Sequence, residues 1–100
     1  MILVTGGNGV AGKSLRNFLP NAKYIGREDC DLMNYNKVFS IFKELSPKTV
    51  IHLAAKAGGV ADNSEHPYDF FYQNIVINSN VINACFLSNV EYLIAMSSTC

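Results

Sequence analysis

Ile2-Leu3-Val4-Thr5-Gly6-Gly7-Asn8-Gly9-Val10-Ala11-Gly12-Lys13-Ser14 is the stretch that decides the fold. Its first four residues suit a short strand buried on both faces, and that strand runs straight into a glycine-rich turn. After the turn, Ala11, Leu15, Phe18 and Leu19 recur at helical spacing until Pro20 closes the pattern. Gly6, Gly9 and Gly12 spell G-x-x-G-x-x-G, and Gly7, Gly9 and Gly12 also satisfy G-x-G-x-x-G. Such spacing meets three physical demands: a tight turn, close approach of a phosphate to the backbone, and close packing of helix on strand.

Working outward, Lys23-Tyr24-Ile25 reads as a second, brief strand leading into a polar segment around Arg27 and Asp31. Asn34 is placed to cap a helix carrying Val38, Ile41, Phe42 and Leu45 on one face, with Pro47 ending it. Thr49 to Ala54 reads as a third buried strand. A loop from Lys56 to His66 follows, and Pro67 opens a long helix reaching about Ser88. Tyr92 to Met96 is the fourth strand, with Ser97 to Cys100 leaving its carboxyl end. Strand–helix alternation with near-continuous apolar strands predicts an α/β fold, the first half of a Rossmann-type doubly wound parallel sheet. Right-handed crossovers then favour the order 3-2-1-4, with ligands in the gap between strands 1 and 4. Residues 1–100 are expected to be one N-terminal part of a dinucleotide-binding domain.

Composition narrows the function. The eight basic and eight acidic residues cancel, which argues against nucleic acid or an anionic membrane surface as partner. Three cysteines, Cys30, Cys85 and Cys100, are an odd count without regular spacing, so reduced thiols in a cytoplasmic setting are expected. Neither they nor His52 and His66 have metal-ligand spacing, and no metal site is expected. His52, inside an apolar strand, reads as a hydrogen-bonded core histidine. Met1 to Thr5 lacks the basic region of a signal peptide, and no stretch approaches transmembrane length.

Two nucleotide chemistries compete for the glycine loop. Gly7-Asn8-Gly9-Val10-Ala11-Gly12-Lys13-Ser14 also spells a Walker A motif, in which Lys13 would hold phosphates and Ser14 a magnesium ion. A P-loop protein needs a metal-binding acid at the end of another strand, and neither Leu53-Ala54-Ala55 nor Ala95-Met96-Ser97 supplies one. The dinucleotide reading is preferred. After the second strand, Arg27 stands where a guanidinium would grip a ribose 2′-phosphate and select NADP. Glu28 beside it would instead take ribose hydroxyls and favour NAD.

Thr5 to Gly12, Val50-Ile51-His52-Leu53-Ala54-Ala55 and Ser97-Ser98-Thr99 together resemble the extended short-chain dehydrogenase/reductase family. The loop Ala55-Lys56-Ala57-Gly58-Gly59-Val60-Ala61-Asp62-Asn63, then Pro67, Asp69-Phe70, Tyr72-Gln73-Asn74 and Ser98-Thr99-Cys100, is similar to the GDP-L-fucose synthases within it. The resemblance implies NADP-dependent epimerisation and reduction of GDP-4-keto-6-deoxymannose. It further implies that Gly6, Gly7, Asn8, Gly9, Val10, Ala11 and Gly12 hold the pyrophosphate and Arg27 the 2′-phosphate. Asp31 and Leu32 would lie near the adenine, Ala54, Ala55 and Lys56 beside the ribose, and Met96, Ser97, Ser98 and Thr99 along the nicotinamide half. Ser98 would hydrogen-bond the substrate carbonyl, and Cys100 would act as a base in epimerisation.

The family's catalytic Tyr-x-x-x-Lys has no counterpart among these residues, so the segment alone is expected to be inactive. Helix-mediated homodimerisation is what the resemblance implies for a full-length protein. Another NAD(P)-dependent sugar-nucleotide epimerase or dehydratase, and a non-catalytic dinucleotide-binding module, remain alternatives at this point. Tyr92 to Met96 are expected to form an apolar edge needing a neighbouring strand.

Overall fold

The computed structural model describes residues 1–26, 28–53 and 67–95. Its elements follow one another as β1 (Ile2–Thr5), α1 (Val10–Leu15), β2 (Lys23–Ile25), α2 (Tyr35–Leu45), β3 (Thr49–His52), α3 (Pro67–Leu87) and β4 (Tyr92–Ala95). All pairings are parallel, which confirms the α/β class. The strand order is 2-1-3-4, with β1 and β3 in the middle.

That order corrects the expected 3-2-1-4. The reason lies in what each strand buries. β1 and β3 hold the fully buried Leu3, Val4 and Val50, and so tolerate neighbours on both sides. β2 is three residues long, and Lys23 on it is exposed, which suits an edge. A right-handed crossover that reverses direction must change face. The chain steps outward from β1 to β2 through α1, then turns back past β1 to β3, so α2 and α3 share the face opposite α1. Consistent with this, Val38 and Phe42 of α2 join Val81, Ala84 and Cys85 of α3 in one core with Leu3, Ile25 and Val50. Order 2-1-3-4 also moves the switch point of the sheet to the gap between β1 and β3.

The helices differ in how they match their sequence patterns. α2 begins where expected, with Asn34 Oδ1 accepting the Lys37 amide at 3.3 Å, and ends at Ser46 in the left-handed region, φ 46°. In α3 the stripe through Ile77, Val81 and Ala84 is the buried one, whereas Ile75 and Ile82 are exposed. α1 is shorter than its pattern. It gives way after Leu15 to tighter turns, with Asn17 and Phe18 amides bonding three residues back, and Phe18 is 80% exposed. Gly12, not Ala11, is the α1 residue that packs inward, because the helix starts too close to the backbone of Gly6 and Gly7 for a side chain there.

β4 takes the edge beyond β3, with Tyr92, Leu93 and Ile94 exposed. Cys30 and Cys85 are buried free thiols in the same core. Among the described residues no helix is long and apolar enough to cross a membrane.

Candidate functional site

The carboxyl ends of β1 and β3 frame the switch point, and the glycine loop leaves from the first of them. Gly6 turns the chain at φ 72°, a conformation that L side chains rarely adopt. Gly7 then donates its amide to Ile25 O at 2.9 Å, tying the loop to the end of β2, and Gly9 closes a turn onto Gly6 O at 3.1 Å. Gly9 is also the N-cap of α1, in extended conformation, and no side chain caps that end.

Each glycine has a separate reason to be there. A Cβ at Gly12 would stand 2.5 Å from Gly6 O and 2.8 Å from Gly7 C and Cα, so α1 starts in backbone contact with the loop. At Gly7 it would stand 2.8 Å from Tyr24 Cβ on β2. Gly9 is different, because among the described residues a Cβ there would touch only Gly6 O, at 3.4 Å. Packing among the described residues therefore does not demand glycine at position 9, whereas an unhindered approach of phosphate oxygens to the backbone would. The loop fits a pyrophosphate on these grounds.

Asn8, Val10, Ala11 and Gly12 sit with these glycines on the same loop and first helical turn, and Val10 is 87% exposed. At the end of β2 the chain makes a tight turn: Asp29 Oδ2 accepts the Gly26 amide at 2.8 Å, which commits that carboxylate to the backbone. Asp31 is similarly engaged, its Oδ1 accepting the Met33 amide at 3.0 Å. Leu32 O accepts Asn80 Nδ2 at 2.9 Å, fastening this segment to α3. Arg27, Ala54, Ala55, Lys56, Met96, Ser97, Ser98, Thr99 and Cys100 lie outside the described residues.

Beneath the site runs a polar chain that starts at the buried Thr5 and His52 and ends at the exposed Asn78. Thr5 Oγ1 lies 2.6 Å from His52 Nδ1, and His52 Nε2 lies 2.8 Å from Asn78 Oδ1. An amide oxygen only accepts, so Nε2 carries the proton and Nδ1 accepts from the threonine hydroxyl. The ends of β1, β3 and the middle of α3 are thereby held together one residue below the glycine loop. Burial pushes the His52 pKa down, opposed in part by the Asn78 bond, so the neutral ring is the native form. His52 is the hydrogen-bonded core histidine expected from the sequence. Its partner Asn78 and the strut Asn80 escaped sequence reading. The available signal was amide side chains inside a long apolar helix, where they are seldom useful unless bonded.

A glycine loop at the β1/β3 switch point of a doubly wound parallel sheet defines a nucleotide-binding α/β protein. More narrowly, residues 2–100 match the NAD dependent epimerase/dehydratase family, and the chain belongs to it. A GDP-L-fucose synthase of Dictyostelium discoideum is 36% identical across 99% of this chain and 33% of its own length. The solved GDP-L-fucose synthetase of Naegleria fowleri bound to NADP superposes with a TM-score of 0.85 at 33% identity, over 99% of this chain and 34% of that one. A GDP-D-glycero-L-gluco-heptose synthase from Campylobacter jejuni, solved in the presence of NADPH, gives 0.89 at 34% identity, over 98% and 30%. The chain thus spans about a third of the length of the curated relatives it matches.

Proposed function

We propose that the chain is the cofactor-binding N-terminal part of an NADP-dependent GDP-sugar epimerase-reductase, with GDP-4-keto-6-deoxy-D-mannose as substrate and GDP-L-fucose as product. The observation that carries the proposal is the glycine loop. Gly7 and Gly12 are explained by packing, and Gly9 by a ligand's approach to the backbone. The likeness to GDP-L-fucose synthases along 99% of the chain supports the choice of sugar nucleotide.

On this reading Gly6 to Gly12 hold the pyrophosphate, Arg27 the 2′-phosphate, Asp31 and Leu32 the adenine side, and Ala54 to Lys56 the ribose. Met96, Ser97 and Thr99 flank the nicotinamide half. When bound, NADPH supplies the hydride for ketone reduction. Ser98 donates a hydrogen bond to the carbonyl oxygen as negative charge develops there. Cys100 removes a proton from a carbon made acidic by that same carbonyl, and serves in epimerisation only. Protonation of the reduced oxygen needs a Tyr-x-x-x-Lys pair, which these residues do not contain, so the segment by itself turns over no ketosugar. The full-length enzyme is proposed to be a cytoplasmic homodimer.

The test is to follow NADPH oxidation by the protein expressed from its own gene with GDP-4-keto-6-deoxy-D-mannose, and to identify the sugar released. GDP-L-fucose is the expected product. Reduction without epimerisation would move the assignment to a GDP-sugar 4-reductase, and NADPH binding without turnover would leave a cofactor-binding module.

A further inference from the structure

A cation on α1 sits beside the glycine loop. Arg16, the C-cap of α1, lays its guanidinium over the Tyr24 ring, with Cζ 4.8 Å from the ring centroid. Tyr24 is itself fixed, donating its hydroxyl to Leu19 O at 2.6 Å. Arg16 Nη2 lies 3.4 Å from Asn8 Oδ1, and it would stand 3.4 Å from a Cβ built on Gly7. Asn8 in turn covers Gly26, where a Cβ would come within 3.0 Å of Asn8 Cγ. Arg16, Asn8 and Gly26 therefore make a continuous bridge from the glycine loop to the end of β2.

Among the described residues Arg16 forms no ion pair, and its hydrogen bond to Asn8 occupies one of its five N–H donors. One face of the fork is stacked on an aromatic ring, which limits its rotamers before any ligand arrives. An exposed guanidinium that is held in place, without a carboxylate, next to a phosphate-cradling loop is arranged for an anion. In a dinucleotide site the adenosine ribose lies at the end of the second strand. The anion that would reach both Arg16 and that strand end is the phosphate on the ribose 2′-oxygen.

We propose that Arg16 is a cofactor-specificity residue, contacting the 2′-phosphate from the α1 side while Asn8 aims it. This rests on the dinucleotide reading given under Proposed function. It divides between two arginines the discrimination that the sequence alone assigns to Arg27.

The test is equilibrium binding, by quenching or enhancement of nicotinamide fluorescence, of NADPH and of NADH to the protein expressed from its own gene. Parent, Arg16→Ala and Arg16→Lys proteins are compared, with far-UV circular dichroism to show that all three are folded. A charge-assisted hydrogen bond of about 1.5–3 kcal/mol corresponds to roughly a ten- to hundredfold change in affinity. Arg16→Ala is expected to weaken NADPH binding by that factor while NADH binding stays within about twofold, and Arg16→Lys to recover part of the loss. Adenosine 2′,5′-bisphosphate should lose affinity in parallel with NADPH. Equal weakening of NADPH and NADH would mean that Arg16 only supports the loop, and no weakening of either would mean that it is a bystander; both overturn the proposal. A parent protein that binds neither dinucleotide would overturn the cofactor assignment itself and this inference with it.

Discussion

Replacing Gly12 by alanine sets two known effects against each other at one atom. Helix propensity alone would favour the change by about 1 kcal/mol, because glycine inside α1 loses more backbone freedom on folding. Packing opposes it. The new Cβ would meet Gly6 O at 2.5 Å and Gly7 C and Cα at 2.8 Å, where carbon contacts are comfortable only at about 3.5 Å or more. None of these is the end of a flexible side chain. Gly6 is fixed by its φ of 72°, and Gly7 is anchored through its amide to Ile25 O at 2.9 Å. Overpacking costs about 1–3 kcal/mol where neighbours can yield. With backbone on the other side the upper end applies, together with about 1 kcal/mol if the Gly7–Ile25 bond is lost.

The net expectation for Gly12→Ala is a destabilisation of about 3 kcal/mol. At a urea slope of about 1–3 kcal/mol/M, the unfolding midpoint should fall by roughly 1–3 M. Gly9→Ala is the control. Among the described residues its Cβ would meet only Gly6 O at 3.4 Å, so stability should change by no more than about 1 kcal/mol, mostly through the N-cap. Dinucleotide affinity, by contrast, should fall in both proteins. A Gly12→Ala midpoint at or above that of the parent would refute the close-packing account of the third glycine.

Three further outcomes follow from named residues. Burial holds the His52 pKa below its usual value, so unfolded chains take up the proton first. The stability contributed by the neutral ring is complete above about pH 6.5 and is lost as pH falls toward the depressed folded value. Urea midpoints at pH 7.5 and 5.5 should therefore differ more in the parent than in His52→Gln, and equal differences would contradict this. Burial pushes the Cys85 thiol up to about 11, and burial followed by the Asp31 charge raises that of Cys30. In the native protein both should label with a thiol reagent only at the rate of unfolding, as mass spectrometry of the modified peptides would show. Finally, Ser46 ends α2 at φ 46°, so Ser46→Gly should raise stability by about 0.5–1 kcal/mol despite losing the Ser46 Oγ bond to Lys43 O, measured by thermal melting.

Local chemistry was legible in the sequence wherever neighbours along the chain decide the outcome. The strand before Gly6, the Asn34 cap, the α2 face through Val38 and Phe42, and the extent of α3 all depend on short-range spacing and capping. So did the glycine loop, because its turn, its tie to β2 and its contact with α1 are made within a few residues or with the next strand. Strand order was not legible in this way. Whether Thr49–His52 pairs outside β2 or beside β1 depends on which crossover reverses direction, and composition leaves both open until the edge character of Lys23 is weighed. α1 shows a second limit. Its apolar spacing suggested Ala11 and Phe18 as inward residues, yet both are exposed, and the residue packed against the loop backbone at Gly6 and Gly7 is Gly12, where a side chain would not fit.

Long-range polar contacts belong wholly to the tertiary structure. Thr5, His52 and Asn78 are separated by 47 and 26 residues, and nothing in their separate surroundings marks them as a chain. Arg16 on Tyr24 is of the same kind, since a cation on a short helix acquires meaning only when the next strand brings a ring beneath it. The sequence by itself determined the elements and the chemistry of the glycine loop, because those are set by backbone freedom and hydrophobic period. Only the fold decided which strands flank that loop and which side chains are brought to it, because these depend on how crossovers stack the layers in space.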